Sequence, residues 1–162
     1  MNDPMTILKA DHREVKQMLT VLADSEEGKE RDKICEQVNA SLSLHMDIEE
    51  RILYPVIARE IGAEDEEEAS IEHGLARNGL ATMVNLADKP GFGAAVEMLK
   101  AGITHHVEEE ETELLPELKA KLERADWLAL GDAIAEAKAK AGAPLPPSPR
   151  RRSAKRKTTA KR

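Results

Sequence analysis

Aromatic side chains are nearly missing from this chain, which has one Trp, one Tyr and one Phe in 162 residues. Sandwich and barrel cores draw much of their volume from aromatics, so the interior here must be filled by Leu, Ala, Met, Val and Ile. Those residues, with abundant Glu and Lys, are mostly good helix formers, and the expectation is an all-α protein. Cysteine is just as scarce. The single Cys35 excludes an intrachain disulfide and suits a reducing compartment, so a cytoplasmic location is expected. Long apolar runs are lacking, and no stretch approaches the roughly 18 residues of a membrane span. Met1 to Arg13 carries charges at positions 3, 9, 11 and 13 and no apolar segment, so it does not read as a signal peptide.

The length fits one domain with a sizeable core. Net charge is −7, unevenly spread: Arg150 to Arg162 holds eight Lys or Arg and no acid, which leaves −15 on residues 1 to 149. The Pro-rich and then basic segment 142–162 reads as a disordered tail behind a helical domain over 1–141. Without aromatics for base stacking, the tail offers at most salt-dependent, non-specific binding to nucleic acid or an acidic partner. Composition leaves the oligomeric state open.

What is present in duplicate is a histidine spacing. His12 is followed after 33 residues by His45, then by Glu49 and Pro55; His73 is followed by His106, Glu110 and Pro116 at the same intervals, all displaced by 61. Such internal repetition points to two equivalent halves.

Helical periodicity places these residues. Asp3-Pro4 starts a first helix whose face carries Leu8, His12, Val15, Leu19 and Leu22. A second stripe holds Cys35, Val38, Leu42, His45, Glu49 and Ile52, with Pro55 expected to kink or end it. The third helix starts among the acids Glu64 to Glu68 and turns His73, Ala76, Leu80, Met83, Val84 and Ala87 inward. After the Asp88–Gly91 turn, the fourth carries Phe92, Val96, Leu99, Ile103, His106, Glu110 and Leu114. A short fifth helix, capped by Asp126, runs from Trp127 to about Ala141. In an antiparallel pair, residues equidistant from the turn share one height. The midpoint of His12 and His45 falls at Gly28 and Lys29, that of His73 and His106 at Lys89 and Pro90, and that of His45 and His73 at Arg59, just before Gly62. All three lie at or beside predicted breaks, so the four histidines should form one layer of an up-down-up-down four-helix bundle.

On a helix, positions i and i+4 share a face about 6 Å apart, which puts Glu49 over His45 and Glu110 over His106. Four imidazoles and two carboxylates exceed a structural zinc site and mix nitrogen with hard oxygen, a set that suits iron or manganese better than a thiolate-dependent metal. Two metals sharing both carboxylates would satisfy the two-fold pattern and leave an open position for a small ligand. Buried together without metal, these groups would lack partners.

His12, His45-x3-Glu49, His73 and His106-x3-Glu110, within LHMDIEERILYP and HHVEEEETELLP, closely resemble the hemerythrin-like HHE cation-binding domain over about residues 5 to 120. The resemblance implies a non-haem di-iron centre with the four histidines as terminal ligands and Glu49 and Glu110 as bridges. It also implies oxygen carriage, oxygen or redox sensing, or iron sensing. The oxygen carriers have a fifth ligand histidine where this chain has Arg77, and usually an aspartate at a spacing of five where Glu110 follows His106 by four. The missing fifth histidine favours oxygen or peroxide activation, or iron sensing, over reversible carriage. The leading expectation is therefore a di-iron protein that binds oxygen, nitric oxide or peroxide as sensor or carrier. A peroxide- or oxygen-activating enzyme and an iron-handling module are the alternatives. Cys35 and Tyr54 are expected to be core packing, Arg77 and the acids Glu108, Glu109, Glu111 and Glu113 a solvated face. His105 with Glu109 repeats the motif one step out of phase, turned about 100° from the first.

Overall fold

A computed structural model describes residues 2–146; the basic segment Arg150 to Arg162 lies outside the described residues, as do its expected partners. Among the described residues the secondary structure is entirely helical. The helices are α1 (Pro4–Ala23), α2 (Lys29–Ile48), α3 (Tyr54–Glu60), α4 (Ala63–Asn85), α5 (Phe92–Glu109), α6 (Leu115–Lys121) and α7 (Arg124–Lys140). Asp3 caps α1 by accepting from the Thr6 amide at 3.2 Å, with Pro4 in the first turn, as the sequence indicates. Gly28 and Gly91, at φ 142 and 96, make the turns at the two histidine midpoints, where a side chain would strain the backbone.

Two π-helical turns, Glu49–Leu53 and Glu110–Leu114, join α2 to α3 and α5 to α6 as continuous rods. Their cause is Pro55 and Pro116. An α-helical amide at either position would donate to the carbonyl four residues back; proline has no N–H and its ring collides there. Widening the turn by one residue avoids the collision, and the Tyr54 and Leu115 amides donate instead to Glu49 and Glu110. Of the two outcomes expected at Pro55, a kink or an end, the helix does not end: the rod passes through the proline, with a π turn seated on the glutamate.

Neighbouring rods pack in the order α1, α2, α4, α5 and back to α1, so the bundle closes. Helix α7 lies against α1 and α2. It begins at Arg124 with Glu123 as its cap; Asp126, the expected cap, falls in its first turn. Gly131 is needed there, because a Cβ would sit 2.0 Å from the Asn2 carbonyl oxygen. Val84, expected inward, is 45% exposed at the end of α4. Among the described residues no helix is long and apolar enough to cross a membrane.

The apolar core falls into two clusters. One contains Val15, Leu42, Met46, Leu80, Ile103 and Val107; the other contains Leu8, Ile48, Leu53, Tyr54, Leu115 and Ile134. The histidine layer lies between them.

Candidate metal centre

All six residues singled out by the repeat are buried, and the fold brings them together: His12, His45, Glu49, His73, His106 and Glu110 are between 0 and 5% exposed. The histidines meet as two facing pairs, one from each hairpin. His12 Nε2 lies 3.2 Å from His45 Nε2, and His73 Nε2 lies 3.1 Å from His106 Nε2. Between the pairs stand the two carboxylates. Glu49 Oε2 is 3.1 Å from His45 Nε2 and 3.3 Å from His73 Nε2, so a single oxygen reaches both pairs. Glu110 Oε2 does the same from the opposite rod, 3.4 Å from His12 Nε2 and 3.7 Å from His106 Nε2. One ligand atom from each of His12, His45, Glu49 and Glu110 fits within a 4.8 Å cluster, and so does one from each of Glu49, His73 and His106.

These contacts have ion-pair distances but not hydrogen-bond geometry, and none of the four oxygens of Glu49 and Glu110 has a hydrogen-bond partner. A buried carboxylate whose oxygens accept no hydrogen bond is costly to hold in a low-dielectric interior, even with imidazoles at ion-pair distance. The donor set answers what would relieve it: imidazole nitrogen and carboxylate oxygen with no thiolate, since Cys35 is buried in the first apolar cluster.

Each imidazole is oriented from behind by a second carboxylate. Glu111 lies 2.8 Å from His12 Nδ1, Glu50 3.1 Å from His73 Nδ1, and Glu72 2.7 Å from His106 Nδ1. Asp11 faces His45 Nδ1 at 3.7 Å. With Nδ1–H of His12, His73 and His106 donating outward, their Nε2 lone pairs point into the layer, the arrangement that metal-ligating histidines adopt; His45 Nδ1 has an ion-pair contact with Asp11 but no hydrogen bond. The pattern is reciprocal. Glu50 of the first hairpin orients a histidine of the second, and Glu111 of the second orients one of the first. Sequence reading missed these four acids, placing Glu111 on a solvated face. The signal was available, because Asp11 and Glu72 precede His12 and His73, while Glu50 and Glu111 follow Glu49 and Glu110, again displaced by 61.

A further ring of charge closes three of these corners. Lys9 pairs with Glu111 at 3.3 Å, Arg77 with Glu50 at 2.5 Å, and Lys138 with Asp11 at 2.5 Å. At the fourth corner Glu72 meets His105 at 3.5 Å. Arg77 also reaches Asp47 at 3.1 Å, so it neither lies free in solvent nor enters the layer; it holds the acid that holds His73. Lys138 is 5% exposed and brings α7 into the site.

Around the layer, six carboxylates (Glu49, Glu110, Asp11, Glu50, Glu72 and Glu111) face three permanent cations, an excess of three negative charges. His45 feels that excess. Burial by itself favours neutral His45, but the Glu49 charge, a contact with Asp11 and the Glu110 charge push its pKa up to about 10. Burial raises Glu49, yet His45, His73 and His12 hold it well below the usual carboxylate range. His45 therefore holds its second proton beside Glu49.

Tyr54, expected to be packing alone, has its hydroxyl 2.9 Å from His73 Nε2. Burial and then the Glu49 and Glu110 charges raise its pKa, so the O–H stays protonated and donates to that nitrogen. The two sides of the layer differ. Glu49 and Glu110 reach it from the Leu8 and Leu115 side. On the other, Val15, Leu42, Met46, Ile103 and Val107 join the four histidines around a cavity of about 10 Å³. A larger apolar pocket of about 440 Å³ between α4 and α5 ends at His73 and His106.

Comparison with known proteins places this geometry. The family described as the Hemerythrin HHE cation binding domain matches residues 3–118, which span all six layer residues. The crystal structure of a hemerythrin HHE cation binding domain-containing protein from Mycobacterium kansasii superposes with a TM-score of 0.76 at 21% identity. The match covers 86% of this chain and 87% of that one, a likeness of fold. No curated protein sequence matches.

Proposed function

We propose that this chain, which belongs to the hemerythrin HHE cation-binding family, holds two iron ions and presents them to oxygen, nitric oxide or peroxide as a sensor or carrier. His12 and His45 would hold one metal, His73 and His106 the other, and Glu49 and Glu110 would bridge them, with manganese the lesser fit. Two irons so held would supply Lewis acidity and one-electron chemistry to a small ligand. The observation that carries this reading is the pair of orphaned carboxylates between two facing imidazole pairs.

The chain's own residues do the rest. Glu50, Glu72 and Glu111 fix the planes and tautomers of His73, His106 and His12, and Asp11 sets a charge beside His45. The apolar wall from Val15 to Val107 excludes water while leaving room against the histidines, and the pocket ending at His73 and His106 gives an apolar solute a path inward. Position 77, where the oxygen carriers' fifth histidine would stand, is spent on Glu50 instead, so neither half of the site gains a third imidazole.

Metal analysis of protein purified without added metal tests the assignment: two irons per chain are expected, with a lower content in His106→Ala. A metal-free wild type that refuses iron(II) would sink it. Visible absorption bands that appear with oxygen and reverse on its removal are expected for a carrier or sensor. A second reading, turnover of peroxide, draws support from the Tyr54 hydroxyl, a protonated donor at the edge of the site. Oxygen evolution from peroxide that disappears in His73→Ala would favour it; a rate no greater than that of free iron would dismiss it.

A further inference from the structure

Three corners of the site are sealed by Lys9, Arg77 and Lys138, each a permanent cation on the outer carboxylate. The fourth is built differently. There the outer carboxylate, Glu72, sends Oε2 to His106 Nδ1 at 2.7 Å and Oε1 to His105 Nε2 at 3.5 Å, and His105 Nε2 in turn lies 3.4 Å from Glu109 Oε1. Glu72, His105 and Glu109 place one ligand atom each within 4.8 Å of one another, and the His105 side chain is 65% exposed.

A second, independent observation leads inward from this cluster. Glu72 and Glu109 line a cleft of about 80 Å³ whose walls also carry Asp65, Glu68 and Glu113 and which ends at His106 and Glu110. Glu110 is fully buried, and neither of its oxygens has a hydrogen-bond partner. The cleft is thus acid-lined from its mouth to an unpartnered carboxylate of the central layer. The acids at the start of α4 serve it as well as the helix dipole.

We infer that this cleft is the path by which a hydrated divalent first-row cation reaches the central layer, and that Glu72, His105 and Glu109 form the surface site that captures it first. A neutral imidazole and two carboxylates bind such a cation weakly enough to release it. The carboxylates beyond concentrate cations along the route, and Glu110 and His106 receive them. The larger, mainly apolar pocket shares Glu72 and His106 with this cleft but lacks its row of acids Asp65, Glu68, Glu109 and Glu113, so it is the cleft that favours a cation.

The inference rests on the dinuclear reading above, and the test separates the two. Iron(II) is added anaerobically to metal-free protein, and iron still unbound is trapped with a chromophoric chelator at timed intervals. His105→Ala/Glu109→Gln alters one exposed and one half-buried position, neither of them in the core, so it should fold and still bind two irons per chain. Its loading rate should fall by about tenfold, in line with the loss of electrostatic focusing and capture. Glu36→Gln, which removes one exposed acid from α2, should load within about twofold of wild type, as diffuse charge alone would dictate. A double variant that loads at the wild-type rate, or a control slowed equally, overturns the uptake path and leaves the dinuclear centre standing. A wild type that takes up no iron overturns both.

Discussion

Replacing Lys138 by Met should cost this protein about 3 kcal/mol although the lysine is far from any layer residue in sequence. Its Nζ lies 2.5 Å from Asp11 Oδ1, and the two side chains are 7 and 13% exposed. At an effective dielectric of about 20 the attraction is roughly 6–7 kcal/mol, most of it offset by desolvation of both ions. What the deletion reveals is the remainder, an acid left buried without its cation, on the order of 3–5 kcal/mol for a fully enclosed pair. Asp11 keeps some solvent and has His45 nearby at 3.7 Å, which places the loss at the low end. Urea unfolding of metal-free protein at neutral pH reads it: with a slope of about 2 kcal/mol/M, the midpoint should fall by roughly 1.5 M. Asp11→Asn/Lys138→Met should recover more than half of the loss, because no buried charge then lacks a partner. Iron affinity should fall by about tenfold in the single variant, as for other lost supports of a ligand histidine. A single-variant loss below about 1 kcal/mol, or a double variant no more stable than the single, would refute the assignment of Lys138 as the charge that secures Asp11.

Three more outcomes follow from the same geometry. His45 has its pKa raised from 6.5 to about 10 in the metal-free fold, so the stability it contributes is fully present below 6.5 and is lost as pH rises through about 10. Melting curves should show the metal-free protein weakening over that window and the iron-loaded protein nearly flat; equal slopes would contradict the charge assignment. Arg77→Ala should leave folding almost intact, since the guanidinium is partly exposed, but free Glu50 and loosen His73. Calorimetric titration should then resolve one of two metals bound about tenfold more weakly, and two unaffected sites would remove Arg77 from the support of the centre. Gly131→Ala gains about 1 kcal/mol of helix propensity, yet its methyl would strike the Asn2 carbonyl and Pro4. A net loss of roughly 2 kcal/mol is expected from the overlap, and a melting temperature at or above wild type would show that the N-terminal segment yields without cost.

The bundle and its polar layer were legible because they depend on periods. His12 and His45, and His73 and His106, sit equidistant from Gly28 and from the Lys89–Gly91 turn, and antiparallel helices of uniform rise carry equal spacing to equal height. Glu49 and Glu110 follow their histidines by one turn, so they share the face. Pro55 announces a kink or an end, and sequence alone does not say which. Packing of α3 and α6 into the second core cluster resolves that choice in favour of continuing.

Local order also determined a little more than its first reading extracted. Asp11 and Glu72, like Glu50 and Glu111, obey the displacement of 61, yet each works on a histidine of a different helix, and only the crossing of helices assigns the pairs. The outer cations obey no repeat: Lys138 comes from α7, which has no counterpart in the other half, and Arg77 serves Glu50 where Lys9 serves Glu111. The division of the surroundings into an acid cleft and an apolar cavity is likewise tertiary, set by which faces of α4 and α5 meet. Periodicity along one chain determines the heights of side chains; which side chains meet at a height, and what surrounds them, is decided only when the rods pack.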